Sequence, residues 1–247
     1  MAEYTVLSKA PITEALIDIR VKLPEDLKVD KLNSLYDAIA SQYSERKERM
    51  RSEVRFDFKK GEPPKLTAGD KIDGYLFISS DKRQIVQARL DGFTFSRLKP
   101  YETWERFHDE AYRLWQLYVD ITSPELITRA ALRYINHMDI PLPIRDFSDY
   151  LTAPPIVPED LPQGVSSFLT RVVIHEPSIN ATAIITQALE QIIKPDFVPI
   201  ILDIDVFRQI PDGMKREEAW KTIGELRHFK NRIFFKSVTE KLKGLFL

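Results

Sequence analysis

Arginine side chains recur at alternating positions of one segment, where a β-strand would place them on a common face. From Ile127 onward this alternation groups Arg129, Arg133 and His137. The planar guanidinium of arginine suits carboxylates and phosphates, so such a face can receive an anionic group. Arg97 ends an earlier predicted strand and is expected to approach the same face. These four residues are therefore candidate ligand- or partner-binding residues.

The alternative is that acidic residues of neighbouring strands neutralise these arginines. Glu14 and Asp18 share the polar face of the first predicted strand, and Asp203 and Asp205 share one face of a later strand. Buried arginines must be paired, because an unpaired buried charge is costly. The four acids are therefore the predicted members of a structural ion-pair network, and the sequence leaves both readings open.

A concentration of aromatic residues surrounds the start of a predicted helix. Its members are Phe93, Phe95, Tyr101, Trp104 and Trp115. Aromatic residues at helical spacing beside a strand are typical of a core where strand and helix meet. The alternative is a partner-binding hot spot, so Tyr101 and Trp104 join the candidate binding residues.

The sequence shows no motif for catalysis, a metal or a cofactor. The chain has no Cys, which removes thiol nucleophiles and thiolate metal sites. Glu105 and His108 have the Glu-x-x-His spacing of di-iron proteins, but no second copy occurs. Phosphate-binding glycine loops and G-x-S-x-G are also missing. We expect no catalytic residues, no metal and no cofactor, although a site assembled by folding leaves no local trace.

Composition indicates a folded protein without a strong overall charge. The 247 residues are 43% hydrophobic and 30% charged, with a formal net charge of -1. This balance excludes a disordered chain and a global field that attracts nucleic acid or anionic membranes. No apolar run is long enough for a membrane helix, and the first residues do not resemble a signal peptide. A cytoplasmic protein that does not bind membranes is expected.

The last 33 residues are more basic than the rest, with nine basic and four acidic residues. This asymmetry is compatible with nucleic-acid binding through a C-terminal helix. The interleaved acids favour the other interpretation, a helix with a solvated basic face.

Hydrophobic periodicity predicts an α+β chain whose two halves have similar element orders. In the first half it predicts strands at 13–23, 54–59, 75–79, 85–90 and 93–98, helices at 26–50 and 100–121, and a loop at 61–71. The charged run 44–53 is read as the solvated end of the first helix. Asp91-Gly92 is a hairpin signal between the last two strands.

In the second half the patterns predict strands at 127–140, 165–175, 181–189 and 198–208, a short helix at 147–151 and a final helix that may restart near a Ser237–Glu240 capping box. We therefore predict a single α+β domain over 1–247. It would be built from pseudo-repeats at approximately 10–122 and 124–246, each running strand, helix, antiparallel strands and helix, with a curved antiparallel sheet packed on helices.

Three blocks carry a resemblance to a family. They are APITEALIDI from Ala10, FTFSRLKPYETWERF from Phe93 and LITRAALRYINHMDIP from Leu126. Together they resemble a sporadically distributed bacterial protein family of unknown function. They cover about a sixth of the chain, in the family's order. The resemblance implies no activity, and patchy distribution is associated with mobile elements and defence islands.

These observations lead to an expected function without catalysis. We predict a binding or interaction protein, as a component of a bacterial toxin–antitoxin or phage-defence module, with a protein partner or self-association as a homodimer. Self-association is expected because the C-terminal GLFL leaves apolar surface uncovered. One alternative is an enzyme or nucleotide- or anionic-ligand-binding protein that uses the arginine-lined face. The second is nucleic-acid binding through the basic C-terminal helix.

Overall fold

The computed structural model describes residues 4, 6–57, 65–191 and 195–247. It has a mixed α+β fold, in which nine described strands form one antiparallel sheet in the order β2-β3-β4-β5-β1-β6-β9-β8-β7. The strands are β1 Ile12–Lys22, β2 Glu45–Asp57, β3 Lys65–Ile78, β4 Gln84–Arg89, β5 Gly92–Leu98, β6 Leu126–Pro141, β7 Leu169–Glu176, β8 Ala181–Leu189 and β9 Phe197–Met214.

The central strands follow the alternation that the sequence predicts. On β1, the side chains of Ala15, Ile17 and Ile19 are fully buried, and the intervening Leu16 and Asp18 point to the other face. On β6, which pairs with β1 along its length, Leu132 and Tyr134 alternate with Arg133 in the same way. The sheet therefore has an inner, apolar face and an outer, charged face.

The helices pack on the inner face. They are α1 Val29–Asn33, α2 Leu35–Ile39, α3 Trp104–Thr122, α4 Arg216–Ser237 and α5 Glu240–Lys243. In α3 the aromatic stripe meets the sheet, with Phe107 stacked on Phe95 at 5.6 Å and Trp115 edge-on to Phe93 at 5.8 Å between ring centroids. The backbone N–H of Arg106 donates to the Thr103 hydroxyl, which caps the helix start.

A tight turn joins β4 to β5 one residue earlier than predicted. Arg89 pairs with Gly92, so Leu90 and Asp91 form the turn and Gly92 opens the next strand. A Cβ on Gly92 would lie 2.3 Å from the carbonyl oxygen of Ile19. Glycine therefore lets β5 start directly beside β1.

The predicted helix over 26–50 is wrong in its second half. Two short helices, α1 and α2, occupy its start, and the charged run 44–53 belongs mostly to β2. Strand β2 pairs with β3 along its whole length, and Arg46 lies over the Tyr36 ring at 5.3 Å. Backbone pairing with β3 outweighs the helix propensity of Glu, Lys and Arg here.

Other boundaries also move. Of the predicted loop 61–71, residues 65–71 lie in β3 and residues 61–64 lie outside the described residues, as do residues 58–59 of the predicted strand 54–59. The short helix at 147–151 is a 3-10 turn, Phe147–Asp149, and β7 begins at Leu169 instead of 165. The final helix does restart, but its cap is Thr239, whose hydroxyl accepts from the Leu242 N–H. Ser237 ends α4 instead.

Within the described residues, no helix is both long enough and apolar enough to cross a bilayer.

Candidate functional site

The outer face of the sheet is organised around the Asp18 carboxylate. Its Oδ2 accepts from Arg89 Nη2 and from the Thr94 hydroxyl, each at 2.8 Å. Its Oδ1 accepts from Arg129 Nη1 at 2.8 Å and from Arg20 Nε at 3.0 Å. Three guanidiniums and one hydroxyl therefore saturate a single carboxylate that is only 6% exposed.

Cross-strand register brings these groups together. Asp18 on β1 lies opposite Thr94 on β5, and Arg20 lies opposite Arg129 on β6. Burial of Asp18 by itself raises its pKa. The charges of Arg89 and Arg20 and the donated hydrogen bonds reverse that effect, and the pKa of Asp18 is lowered.

Two further acids extend this cluster onto β9. Arg133 binds Asp203 in a bidentate pair, Nε to Oδ1 at 2.8 Å and Nη2 to Oδ2 at 2.5 Å. Arg129 Nη2 reaches Asp205 Oδ2 at 3.4 Å. The hydrogen bonds that Arg133 donates to Asp203 raise the pKa of Arg133. Burial raises the pKa of Asp205, against the lowering effect of Arg129 and Arg133.

The resulting cluster balances its own charges. We call it the Asp18 network; its members are Arg20, Arg89, Arg129, Arg133, Asp18, Asp91, Asp203 and Asp205. Four guanidiniums face four carboxylates, and each arginine has an acidic partner. Such a surface holds neighbouring strands together and leaves little charge for an external anion.

Two other predicted residues lie on this face outside the network. His137 lies between two acids, with Nε2 at 3.1 Å from Asp139 Oδ1 and Nδ1 at 3.2 Å from Glu190 Oε2. Glu14 forms no ion pair with a described residue. Its charge raises the pKa of Arg133 only as the smallest of the contributing causes.

The expectation that Arg97 approaches the Arg129 face is wrong. Arg97 lies opposite Ala15, which is fully buried on the inner face. There Arg97 Nη2 donates to Glu102 Oε1 at 2.8 Å, and the same carboxylate also binds Arg106. A cavity of about 200 Å³ adjoins Arg97 and Tyr101.

A larger cavity, of about 340 Å³, lies on the inner face where the N-terminal segment, the start of α3, β6 and α4 meet. Tyr101 and Trp104 line it, and so does Lys230 of α4. The Lys230 ammonium lies 3.7 Å from the centroid of the Tyr134 ring. We call this site the Lys230 cavity.

Lys230 carries a buried charge without an acidic partner. The residue is 9% exposed, and among the described residues its Nζ makes neither a hydrogen bond nor an ion pair. Loss of hydration, helped by the nearby Arg227 charge, lowers the pKa of Lys230 to about 7. The Tyr134 ring offers cation–π stabilisation, which compensates only partly for lost water.

Other titratable groups face the cavity from every side. Arg227 comes from α4, stacks on Trp104 at 4.8 Å and reaches Glu105 Oε1 at 3.8 Å. The remaining titratable lining residues are Tyr4 on the N-terminal segment, Tyr101 and Glu102 before α3, and Tyr134 on β6.

The two tyrosine hydroxyls of the cavity are bonded to each other, Tyr101 to Tyr134 at 2.9 Å. Burial raises the pKa of Tyr101 to about 12 and also raises the pKa of Tyr134 well above its ordinary value. Both hydroxyls therefore keep their protons at neutral pH and can act as hydrogen-bond donors.

The aromatic residues predicted to cluster near the start of α3 have two different roles, in the core and in the cavity wall. Phe93, Phe95 and Trp115 are buried core residues. Tyr101 and Trp104 are only partly buried and form cavity wall. The site residues that sequence reasoning missed are Lys230 and Arg227, together with Arg89, Arg20 and Thr94 of the Asp18 network.

Several basic residues of the C-terminal region form ion pairs within the protein. Arg227, Arg232, Lys241 and Lys243 pair with Glu105, Glu176, Asp149 and Glu240, respectively. Lys230 points into the cavity. This pattern weakens the case for a basic stripe that tracks nucleic acid.

Comparisons with known proteins add no identification. The chain matches no family model, and no curated protein matches it significantly. The resemblance to the sporadic bacterial family therefore stays a prediction.

Proposed function

We propose that the protein is a binding protein that holds the anionic group of a small ligand in the Lys230 cavity. The observation that supports this most directly is the buried Lys230 ammonium, which has no acidic partner among the residues that the structure describes. A bound carboxylate or phosphate would supply the missing countercharge in a site of low dielectric, where charge-assisted hydrogen bonds are strong. Arg227 lies one helical turn away and adds a second cation.

The cavity matches a small ligand in size and lining. Its volume of about 340 Å³ lies at the small end of ligand sites. Trp104 and Tyr101 offer flat apolar surface, and the cations occupy the α4 side. Anion binding was predicted from the sequence for the arginine-bearing face, and we now propose it for the inner face.

Isothermal titration calorimetry with benzoate, phenyl phosphate and the neutral analogue benzamide tests this proposal. We expect both anions to bind and benzamide to bind more weakly. Lys230→Met should weaken anion binding by about tenfold or more, because a lost charge-assisted hydrogen bond costs about 1.5–3 kcal/mol. Arg133→Ala, on the opposite face, is the control and should leave the affinity unchanged.

The pH dependence of wild-type binding gives a second readout that needs no variant. An anion favours the ammonium form, so affinity should fall by up to about tenfold per pH unit above pH 7, where free Lys230 loses its proton. Equal affinity for benzoate and benzamide, or no binding of either anion, would contradict the proposal.

Self-association as a homodimer remains a second prediction. Leu245 and Leu247 are 40% and 61% exposed at the C-terminus, while Phe246 packs against the core. A protein partner, and a role in a toxin–antitoxin or phage-defence module, also stay predictions, because no described residue bears on them.

We further propose that the chain is a duplicated unit, with halves near 10–122 and 124–246. Each half begins with a central strand, β1 or β6, and these two pair with each other. In each half the last strand returns to pair with the first, β5 with β1 and β9 with β6, and a long helix follows. This order supports the proposal, although the second half has one strand fewer.

A further inference from the structure

Lys230 differs from the exposed lysines of the same helix in how much of its amine is neutral, and therefore nucleophilic, at pH 7. An exposed lysine, with a pKa of about 10.4, has a free amine in only about one molecule in a few thousand at pH 7. Desolvation brings Lys230 to a pKa of about 7, so close to half of its amines are neutral there. A desolvated lysine in an apolar pocket is an activated nucleophile.

The geometry leaves this amine accessible to a ligand. Lys230 lines the cavity, and no described carboxylate or carbonyl holds its Nζ. Its nearest described interaction is the face of the Tyr134 ring, which does not accept the nitrogen lone pair. A carbonyl carbon brought into the cavity can therefore approach the nitrogen directly.

The neighbouring groups indicate which carbonyl compounds fit. Arg227 and Lys230 are three residues apart on one helix, so their side chains start about 5–6 Å from each other. A carboxylate bound by Arg227 would place a carbonyl group that lies one or two bonds away near Lys230. The Tyr101 hydroxyl on the cavity wall keeps its proton and can donate a hydrogen bond to the carbonyl oxygen when the Tyr134 hydroxyl is the donor of the bond between the two tyrosines.

We propose that Lys230 reacts reversibly with the aldehyde or ketone group of a small oxo acid and holds it as an imine in the Lys230 cavity. This inference rests on the proposed anion binding and deepens it by naming the ligand class.

The reaction balances without an oxidant or reductant. The Lys230 nitrogen forms a bond to the carbonyl carbon, and the C=O π electrons move to oxygen, which takes a proton. The nitrogen loses a proton, the hydroxyl leaves as water after a second protonation, and the nitrogen then loses its remaining proton to give the neutral imine. The net change is amine plus carbonyl to imine plus water, and hydrolysis reverses it.

Reductive trapping tests this inference on the intact protein. Glyoxylate, an aldehyde with a carboxylate, is added at pH 7 with cyanoborohydride, and peptide mass spectrometry follows the carboxymethylation of each lysine over time. We expect Lys230 to be labelled at least tenfold faster than Lys236, an exposed lysine of the same helix, because the neutral fraction of Lys230 at pH 7 is about a thousandfold larger than that of an ordinary lysine. Labelling of Lys230 no faster than Lys236 would overturn the inference.

Two variants sharpen the readout. Arg227→Gln removes a charge that helps to lower the pKa of Lys230, so it should slow labelling by both aldehydes. It should slow labelling by glyoxylate more than labelling by the neutral benzaldehyde, because only glyoxylate also loses the partner of its carboxylate, and a merely structural role would slow both equally. Lys230→Met should remove the fast-labelled peptide and leave the Lys236 rate unchanged. Because labelling is also measured on the wild type, the test stands even if a variant fails to fold.

Failure of this inference is distinguishable from failure of the proposed function. If benzoate binds and depends on Lys230 but no Lys230 adduct forms, the cavity binds anions without covalent chemistry. If Lys230 is labelled equally fast by glyoxylate and benzaldehyde and benzoate does not bind, the anion-binding function is the part that fails.

Discussion

The two faces of the sheet treat buried charge in opposite ways. On the outer face, Asp18 is 6% exposed and receives donors from three arginines and a threonine. On the inner face, Lys230 is 9% exposed and has no acidic partner among the described residues. Similar burial therefore accompanies full neutralisation in one region and an uncompensated cation in the other.

The difference follows from which elements supply the charges. Neighbouring strands lie about 5 Å apart, so β1, β6 and β9 can alternate acids and bases in register on one surface. Lys230 instead comes from a helix that packs on the inner face, where its Nζ lies over the Tyr134 ring and forms no ion pair with a described carboxylate. A charge kept in such a place lowers stability, and ligand binding is a physical reason to retain it.

The largest effect is expected when the network loses its central acid. Asp18→Asn leaves buried guanidiniums without their carboxylate, which should cost about 3–5 kcal/mol of unfolding free energy at pH 7. Urea unfolding measures this. The matched control is Glu14→Gln on the same strand face, which should change stability by about 0.5 kcal/mol or less.

Lowering the pH should reduce the difference in unfolding free energy between the wild type and Asp18→Asn. The folded pKa of Asp18 is lowered, so its contribution is present above the unfolded pKa near 3.8 and is lost as pH falls through the folded value. An Asp18→Asn protein as stable as wild type at pH 7 would show that the network does not hold the strands together.

Removing the charge in the Lys230 cavity should raise the free energy of unfolding, by less than Asp18→Asn lowers it. Lys230→Met removes a poorly hydrated cation and keeps the apolar stem, so stability at pH 7 should rise by about 2–4 kcal/mol. The folded pKa of Lys230 lies below the unfolded value, so wild-type stability increases between pH 7 and pH 10 by up to about 1.4 kcal/mol per pH unit.

Thermal unfolding across this pH range measures the effect. The wild type and the variant should converge as pH rises. The control is Lys236→Met, at an exposed position of the same helix, which should not change the slope. A Lys230→Met protein that is less stable than wild type at pH 7 would show that the ammonium is compensated after all.

Alternating patterns were a reliable guide to the strands. In β1 and β6 a period of two places apolar and polar residues on opposite faces, and both strands form as predicted. The run 44–53 gave no such guidance, because its charged residues favour helix as readily as a solvated strand. Its pairing with β3 is a long-range contact that local propensity cannot express.

The sequence predicted more of the charged outer face than of the Lys230 cavity. The period of two correctly placed Arg129 and Arg133 on one face. Arg97 shares its parity with Phe93 and Phe95, and the prediction that it approaches the Arg129 face overlooked this signal, which favours the inner face. Lys230 lies four residues after Leu226 and four before Phe234, a helical spacing that predicts its burial. Tertiary packing decides whether the Lys230 charge has a partner, so the sequence could not predict that none of the described residues pairs with it.

The most direct test of the central claim is the pKa of the Lys230 side chain, measured by NMR titration of the lysine Cε and Nζ resonances and assigned with Lys230→Met. The structure predicts a value of about 7 in the free protein, which rises when benzoate is added. A value near the ordinary 10.5 that benzoate does not change would show that the cation is already neutralised and would contradict a ligand site in the cavity.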